Sequence, residues 1–436
     1  MINLKNKIIL IENQIRIQNL KDDPVYSYRY LLSKNSSSSL VNIHAKMTYS
    51  VDDETTTLPI TKSFEDDNFI YYDISFKKEP MNSKEIRYLI VNEDHFEKLQ
   101  FFPKKIPIKD NQYALFIDTV NCVSLYETES QVTTVMLPNE NTEIVKMTTA
   151  RSNKLKDKIV YTVKDVFPSM KYEQLYIHYL YNEPFTVMNY AFKSYQISHW
   201  GNIAVDEDYQ LKNIGALLDG EFGRVDYESY SRKGGKNALR YLQAKLPIRA
   251  WGLWYRDEIG NVTTSRASRE WNDVSLVLYP RFPILGGWKS NFGIGYNLPS
   301  KFHIKTNDQG NYVVNLTFGM PFEDLLAKEY TVRVALPEGA EVTKVDLPLE
   351  KGEYEITYDK SYSTLDLIGR QNVVIKMKNV YDSHKVDFQI YYNYSKVTLI
   401  RKPLILILYF LIVFIALIIS FRAKISLDKT EKVKEE

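Results

Sequence analysis

The stretch Asp206-Glu207-Asp208 is the first place to look for chemistry in this chain, because neighbouring carboxylates hold a divalent metal and a sugar nucleotide in many glycosyltransferases. A charged turn following the apolar residues 203–205 accounts for the same letters, and that is the reading taken. Asp52-Asp53-Glu54 and Glu65-Asp66-Asp67 are read the same way. A glycosidase needs two carboxylates brought to either side of a glycosidic bond, and nothing in the sequence pairs any two of them. The histidines at 44, 95, 178, 199, 303 and 384 have no ligand spacing, and His-Glu-x-x-His, Gly-x-Ser-x-Gly, a phosphate loop and a zinc-binding Cys pair are all absent. No catalytic residue, cofactor or metal is expected. Trp251, Trp254 and Trp288 could line a sugar or peptide groove, but aromatic side chains in a β core are the commoner case.

The elements that would carry these residues read as strands. Tyr, present 33 times, combines with Val, Ile and Thr in short stretches of alternating polarity, the pattern of a strand with one wet face. In 385–391, Val386, Phe388 and Ile390 oppose Lys385, Asp387 and Gln389. Residues 15–17, 159–163 and 330–336 behave alike, and Pro337-Glu338-Gly339 and Ile259-Gly260-Asn261 mark turns. Helical periodicity is clear only over 235–245. The expected fold is mainly β, two sandwich-like β domains at 1–195 and 196–402, then a helix over 403–422 and a tail over 423–436. A chain this long buries ample core without disulfides, so the single cysteine, Cys122, is expected to be a small buried hydrophobe. The net charge of +2, with no single-sign block, argues against nucleic acid as a partner.

Residues 404–421 carry no charge, and as a helix they extend about 27 Å, the thickness of a hydrocarbon core. They are expected to span a membrane, with Arg401 and Lys402 on one flank and Arg422 and Lys424 on the other reaching lipid headgroups. Arg422, Lys424, Lys429, Lys432 and Lys434 follow the span, against Lys396, Arg401 and Lys402 before it, which places the tail in the cytosol and the bulk in a lumen. Acceptor sequons begin at Asn35, Asn261, Asn315 and Asn393, and the alternation over 312–318 puts Asn315 and Thr317 on the wet face of a strand. Residues 1–20 contain no secretory apolar core, so the sequence is expected to begin near a mature N-terminus or to lack a first exon.

One long segment is more specific than any of these. Ser198-His199-Trp200-Gly201-Asn202 continues through Asp206-Glu207-Asp208, Gly215-Ala216 and Gly220 to Phe222-Gly223-Arg224-Val225-Asp226-Tyr227. It is followed by Tyr255-Arg256-Asp257-Glu258-Ile259-Gly260-Asn261, by Pro280-Arg281-Phe282-Pro283-Ile284-Leu285-Gly286-Gly287-Trp288 with 295–299, and by Leu336-Pro337-Glu338-Gly339-Ala340. This order of blocks, closed by the apolar helix, resembles the ribophorin I family of oligosaccharyltransferase subunits from about residue 182 to 421.

The resemblance implies a type I membrane protein of the endoplasmic reticulum. It would be a non-catalytic, accessory subunit of the complex that transfers a dolichol-linked glycan to Asn of nascent proteins. The chemistry and its metal would then belong to a separate multispanning subunit. The implied partners are the catalytic and accessory subunits, nascent polypeptides, the translocon and membrane lipid. Lys432 and Lys434 look like a dilysine retrieval signal. Animal relatives carry a long cytosolic region associated with ribosome docking, so no ribosome contact is expected from residues 422–436.

Locally, His199 and Trp200 are expected as a packed, hydrogen-bonded pair. Gly201, Gly286 and Gly287 are expected at turns or tight packing, and 257–261 as a hairpin turn. Asn202, Arg256, Asp257, Arg281, Pro283 and Trp288 are motif positions without an assigned role. The competing readings are a membrane-anchored glycosidase or glycosyltransferase, and a cell-surface adhesion protein.

Overall fold

The computed structural model describes residues 1–49, 55–164, 166–306, 311–350, 352–364 and 366–422. The chain is mostly strand, with one long C-terminal helix, Lys396–Arg422. Two stretches share one plan: a long sheet covered on one face by a three-stranded and a four-stranded sheet placed end to end.

In the first stretch the eight-stranded sheet runs through Ile9–Gln18 and Ile86–His95 at its centre. Ile9 and Ile11 face the four-stranded sheet and pack on Phe116, Leu175 and Ile177, while Ile15, Ile17, Leu89 and Val91 face the three-stranded sheet around Tyr30 and Ile74. The period-two spacing of the isoleucines puts all four on one side, so one strand serves both covers. Residues 9–18 are therefore a core strand.

In the second stretch the seven-stranded sheet has the order Trp251–Asp257, Lys289–Pro299, Asn202–Asn213, Thr186–Ile197, Ala327–Ala335, Arg370–Val380, Tyr354–Ser361. All neighbours are antiparallel except Thr186–Ile197 and Ala327–Ala335, which run parallel. Its buried face packs on Leu242–Pro247 with its partners and on Tyr312–Thr317 with Asp387–Asn393. In the last strand Phe388 and Ile390 are buried and Asp387 and Gln389 exposed, with pairing starting two residues later than the alternation begins.

Three adjacent strands of this sheet, Thr186–Ile197, Ala327–Ala335 and Arg370–Val380, set the layout of the whole body. At one end Val187, Leu326 and Tyr381 belong to the core of the first stretch. There Tyr381 donates a short hydrogen bond to Asp94, and Met188 N–H donates to Leu326 O at 2.9 Å. At the other end the strands run out into 198–201, 336–340, and 362–364 with 366–369. A nine-residue strand such as Ala327–Ala335 covers about 30 Å. The first stretch therefore sits on the far side of the second from these three loops, and the three loops surround the start of helix Lys396–Arg422.

The expected helix over 235–245 is not formed. Leu242–Pro247 is a strand paired with Asp273–Leu278, and the helix lies upstream at Arg224–Arg232. Leu239 and Leu242 suggest helical spacing, but Leu242, Ala244 and Leu246 are equally a period-two row, and the neighbouring strand supplies the hydrogen bonds that choose between them. Gly234, at φ +95°, ends the real helix. A Cβ on Gly235 would lie 2.0 Å from the Tyr230 ring, which packs back over that turn.

Candidate functional site

Asp206, Glu207 and Asp208 lie within strand Asn202–Asn213, so the charged-turn reading is corrected. Alternation splits them. Glu207 points into the core with 0 % exposure, while Asp206 and Asp208 share the outer face near Arg256. Burial raises the pKa of both, with the charge of Asp208 adding to the rise at Asp206 and Arg256 opposing it at each.

Glu207 meets Lys193 Nζ at 3.1 Å and accepts hydrogen bonds from Tyr296 at 3.0 Å and from Tyr209. Burial alone would lower the Lys193 pKa, but the facing carboxylate prevails and holds it well above the ordinary value. Lys193 also donates to Gly319 O at 3.3 Å. This is a closed, satisfied core pair with no route for substrate.

Among the described residues no three His, Cys, Asp or Glu side chains gather as a metal site. Asp66 accepts from the Asn68 and Phe69 amides and from Tyr71 within a turn, and Asp52-Asp53-Glu54 lies outside the described residues. Cys122 is half-buried, 3.9 Å from the Tyr30 hydroxyl, and burial pushes its thiol up to about 12.

Trp251, 51 % exposed, departs from the core expectation, whereas Trp254 is half-buried and Trp288, also half-buried, packs against the core. Arg256 lies over the Trp254 ring at 4.8 Å, and a Cβ on Gly295 would collide with that indole at 2.2 Å, so Gly295 makes the seat for it.

Asp257 forms an ion pair with Arg281 and accepts the Ile259 and Gly260 amides, each at 3.0 Å. Arg281 goes on to donate to Asn261 O at 3.0 Å. Two sequence blocks are thereby clamped across one hairpin turn, and Asp257 is held below the ordinary carboxylate range chiefly by its hydrogen bond from Arg281. Half-buried Pro283 leads into Ile284-Leu285-Gly286-Gly287, where a Cβ on Gly286 would be 1.8 Å from Ala216 O. Gly287, at φ +85°, turns the chain so that its amide donates to Asn213 O at 2.8 Å, and Trp288 then packs against Phe222 and Phe282.

Two other motif blocks converge on the root of the long helix. His199 stacks on Tyr394 at 4.5 Å, with Nε2 3.0 Å from the Tyr392 hydroxyl, and burial lowers its pKa. Trp200 does not pair with it; the indole stands 68 % exposed at the tip of a turn closed by Gly201 at φ +105°. Asn202 donates to Asn297 at 2.7 Å and ties that turn to the next strand. In the second block Gly339 abuts Thr398, where a Cβ would lie 3.2 Å from the threonine methyl. Glu338 accepts the Leu367 and Ile368 amides at 2.7 and 3.0 Å and pairs with Arg401 at 3.7 Å. Asp366, its side chain fully buried, pairs with Lys402 at 2.5 Å and with Arg370 at 3.1 Å. Arg401 and Lys402 are thus engaged by the β body, a correction to the expectation that they reach out to headgroups.

These blocks and the helix fall in the order of one family, and the family profile for ribophorin I matches residues 1–421. The chain belongs to the ribophorin I family. Similar relatives are named as subunits of dolichyl-diphosphooligosaccharide-protein glycosyltransferase. Subunit 1B of Oryza sativa is 33 % identical over 80 % of this chain and 73 % of its own length. Subunit 1A of Arabidopsis thaliana is 35 % identical over 84 % of this chain, which spans 58 % of that longer relative. Subunit 1 of Caenorhabditis elegans is 28 % identical over 100 % of this chain and 73 % of its own. A solved M1 zinc metallopeptidase from Deinococcus radiodurans aligns over 48 % of this chain and 42 % of its own at 8 % identity, with a TM-score of 0.27, too low to relate the folds.

For this ribophorin I chain the sequons fall as follows. Asn35, Asn261 and Asn393 are exposed, and Asn315 is half-exposed between buried Val314 and Leu316, opposite Gln389. Lys432 and Lys434 lie outside the described residues. Sequence reasoning missed Asp366, Arg370 and Tyr394, which complete the helix root. The only signal for them was an isolated acid and base, 366 and 370, following Ser363 in a turn-like stretch.

Proposed function

We propose that this chain is an accessory, non-catalytic subunit of oligosaccharyltransferase, supporting en bloc transfer of a dolichol-linked glycan to Asn of nascent proteins in the endoplasmic reticulum membrane. The observation that carries it is the family match running from residue 1 through the apolar helix to 421. Helix Lys396–Arg422 holds a span at Val397–Arg422 with a mean hydropathy of 3.2 over its most apolar window. It is the anchor; the β body lies in the lumen and the C-terminus in the cytosol, in keeping with the basic residues that follow the span.

The body acts as a brace. On this reading it divides into two β units that meet about Val187 and Met188, since Val187 packs in the first core and Met188 in the second. Catalytic and accessory subunits are its partners, with nascent chains and the translocon as transient neighbours. Exposed strand edges such as Tyr354–Ser361 suit contacts of that kind.

The test is affinity purification of the tagged full chain from gently solubilised endoplasmic reticulum membranes. Recovery of the multispanning transferase subunit supports the assignment, and its reproducible absence from an otherwise intact preparation overturns it.

A further inference from the structure

Helix Lys396–Arg422 is longer than a hydrocarbon core requires. Its span covers 26 residues, or about 39 Å, against about 30 Å for the core and 40–45 Å for a bilayer with its headgroup layers. The first turns, which begin with exposed apolar Val397 and Ile400, must therefore lie in the headgroup layer. Those are the turns that the β body grips. Arg401 meets Glu338, Lys402 meets Asp366, and Gly339 touches Thr398, so the loops around them are held at the level of the membrane surface.

Beside polar Ser363 and Thr364, these loops expose large apolar side chains. Leu367 and Ile368, next to Asp366, are 67 % and 47 % exposed, and Tyr362 is 68 % exposed beside Gly369. Their backbone is not slack, since the Leu367 and Ile368 amides are both tied to Glu338. On the other side of the helix root Trp200 projects from the turn that His199 anchors to Tyr394, two residues before the helix begins. A Trp, a Tyr and two aliphatic side chains presented on braced turns suit the headgroup–acyl boundary, where an aromatic ring can bury its body and keep its polar edge wet.

We propose that Trp200, Tyr362, Leu367 and Ile368 form a membrane-resting rim, by which the β body inserts into the headgroup layer of the leaflet that its own helix crosses. The occupant of this apolar surface is lipid, by continuity with the helix it surrounds. The rim makes the body a second, peripheral membrane contact and fixes its height and tilt, which a single helix cannot do because it leaves rotation and tilt free. This rests on the reading of the helix as a span.

The experiment uses the full chain, carrying Cys122→Ala, reconstituted alone into phosphatidylcholine vesicles. Nitroxide is attached at Leu367→Cys, at Ile368→Cys as a second rim site, at Leu411→Cys within the helix, and at Val132→Cys, 61 % exposed in the distant first unit. Relaxation by oxygen, which concentrates in lipid, is compared with relaxation by a water-soluble nickel chelate. The rim labels are expected to show an oxygen-to-nickel ratio several-fold above that of 132 and below that of 411. Rim labels as accessible to nickel as 132, with 411 still lipid-exposed, overturn the rim and leave the span standing. A water-exposed label at 411 overturns the span and the rim with it.

Discussion

Lys402 Nζ lies 2.5 Å from Asp366 Oδ1, so the last basic side chain before the charge-free stretch of the helix is turned back into the β body. Asp366 also accepts the Ser363 amide at 2.7 Å and pairs with Arg370, and its own side chain is fully buried. A membrane anchor is usually a flexible tether. Here its first turns are held by two ion pairs and a glycine contact, so the body and the helix move together.

Asp366→Asn is expected to destabilise the second unit by about 2–3 kcal/mol, because it leaves two cations facing a buried neutral group, whereas Lys402→Ala leaves Arg370 and the Ser363 amide in place and costs less. Thermal unfolding of the detergent-solubilised full chain measures both. Equal effects of the two variants would show that Lys402, and not the rest of the cluster, carries the pairing.

The pH dependence of that difference has a definite sign. Burial raises the Asp366 pKa, but the Lys402 hydrogen bond, the Ser363 amide and Arg370 outweigh it, and the group titrates below its ordinary value. A depressed carboxylate contributes stability that is complete above its unfolded value of about 4 and lost as pH falls through the lower folded value. The gap in melting temperature between the wild-type chain and Asp366→Asn is therefore expected to stay constant from neutral pH down to about 5 and to close only below about 4. A gap that closed between neutrality and about 5 would contradict the depressed pKa.

Glu207 and Lys193 offer a second contrast. Removing either charge alone, as in Glu207→Leu or Lys193→Met, strands the other in the core at a cost of about 3–5 kcal/mol, while the two substitutions together are expected to cost less than either single change. Denaturant unfolding of the four proteins gives the coupling. Additive losses would mean that the pair is held by its tyrosines and not by its partner charge.

Gly286→Ala and Gly220→Ala separate crowding from backbone strain. At 286 the new methyl meets the fixed carbonyl of Ala216, and a loss of more than about 2 kcal/mol is expected; at 220, where φ is +87° and no atom lies within 4 Å, the cost is about 1 kcal/mol. Limited proteolysis should expose the 280–288 block in the first variant and leave it protected in the second.

Asn261 lies exposed in the turn clamped by Asp257 and Arg281. In the lumenal orientation Asn261→Gln is expected to raise the electrophoretic mobility of the chain by one glycan, a shift erased by prior endoglycosidase treatment. Protease added to sealed microsomes should leave the β body intact. Digestion of the body from the cytosolic side would refute the proposed topology.

How far the sequence could be read depended on whether an element's partners were local. The strand at 312–317 and the span were legible because alternation and unbroken apolarity are properties of the segment itself. Leu242, Ala244 and Leu246 were misread because the same spacing serves two periodicities and only Asp273–Leu278 settles it. Glu207 was misread because its partner, Lys193, comes from a neighbouring strand, and a charge inside a β core has no sequence signature until that cross-strand pairing is known.

By itself, then, the sequence determined a β-rich chain with one span and a family assignment, since hydropathy, alternation and ordered motif blocks are carried by consecutive residues. The tertiary structure decided what those blocks do. It brought 198–201, 336–340 and 366–369 together from three strand ends that lie apart in the chain, because parallel and antiparallel pairing within one sheet places those ends side by side. It also turned Arg401 and Lys402 toward buried carboxylates on those loops, a choice made by close ion pairs between residues distant in sequence, which no stretch of neighbouring residues encodes.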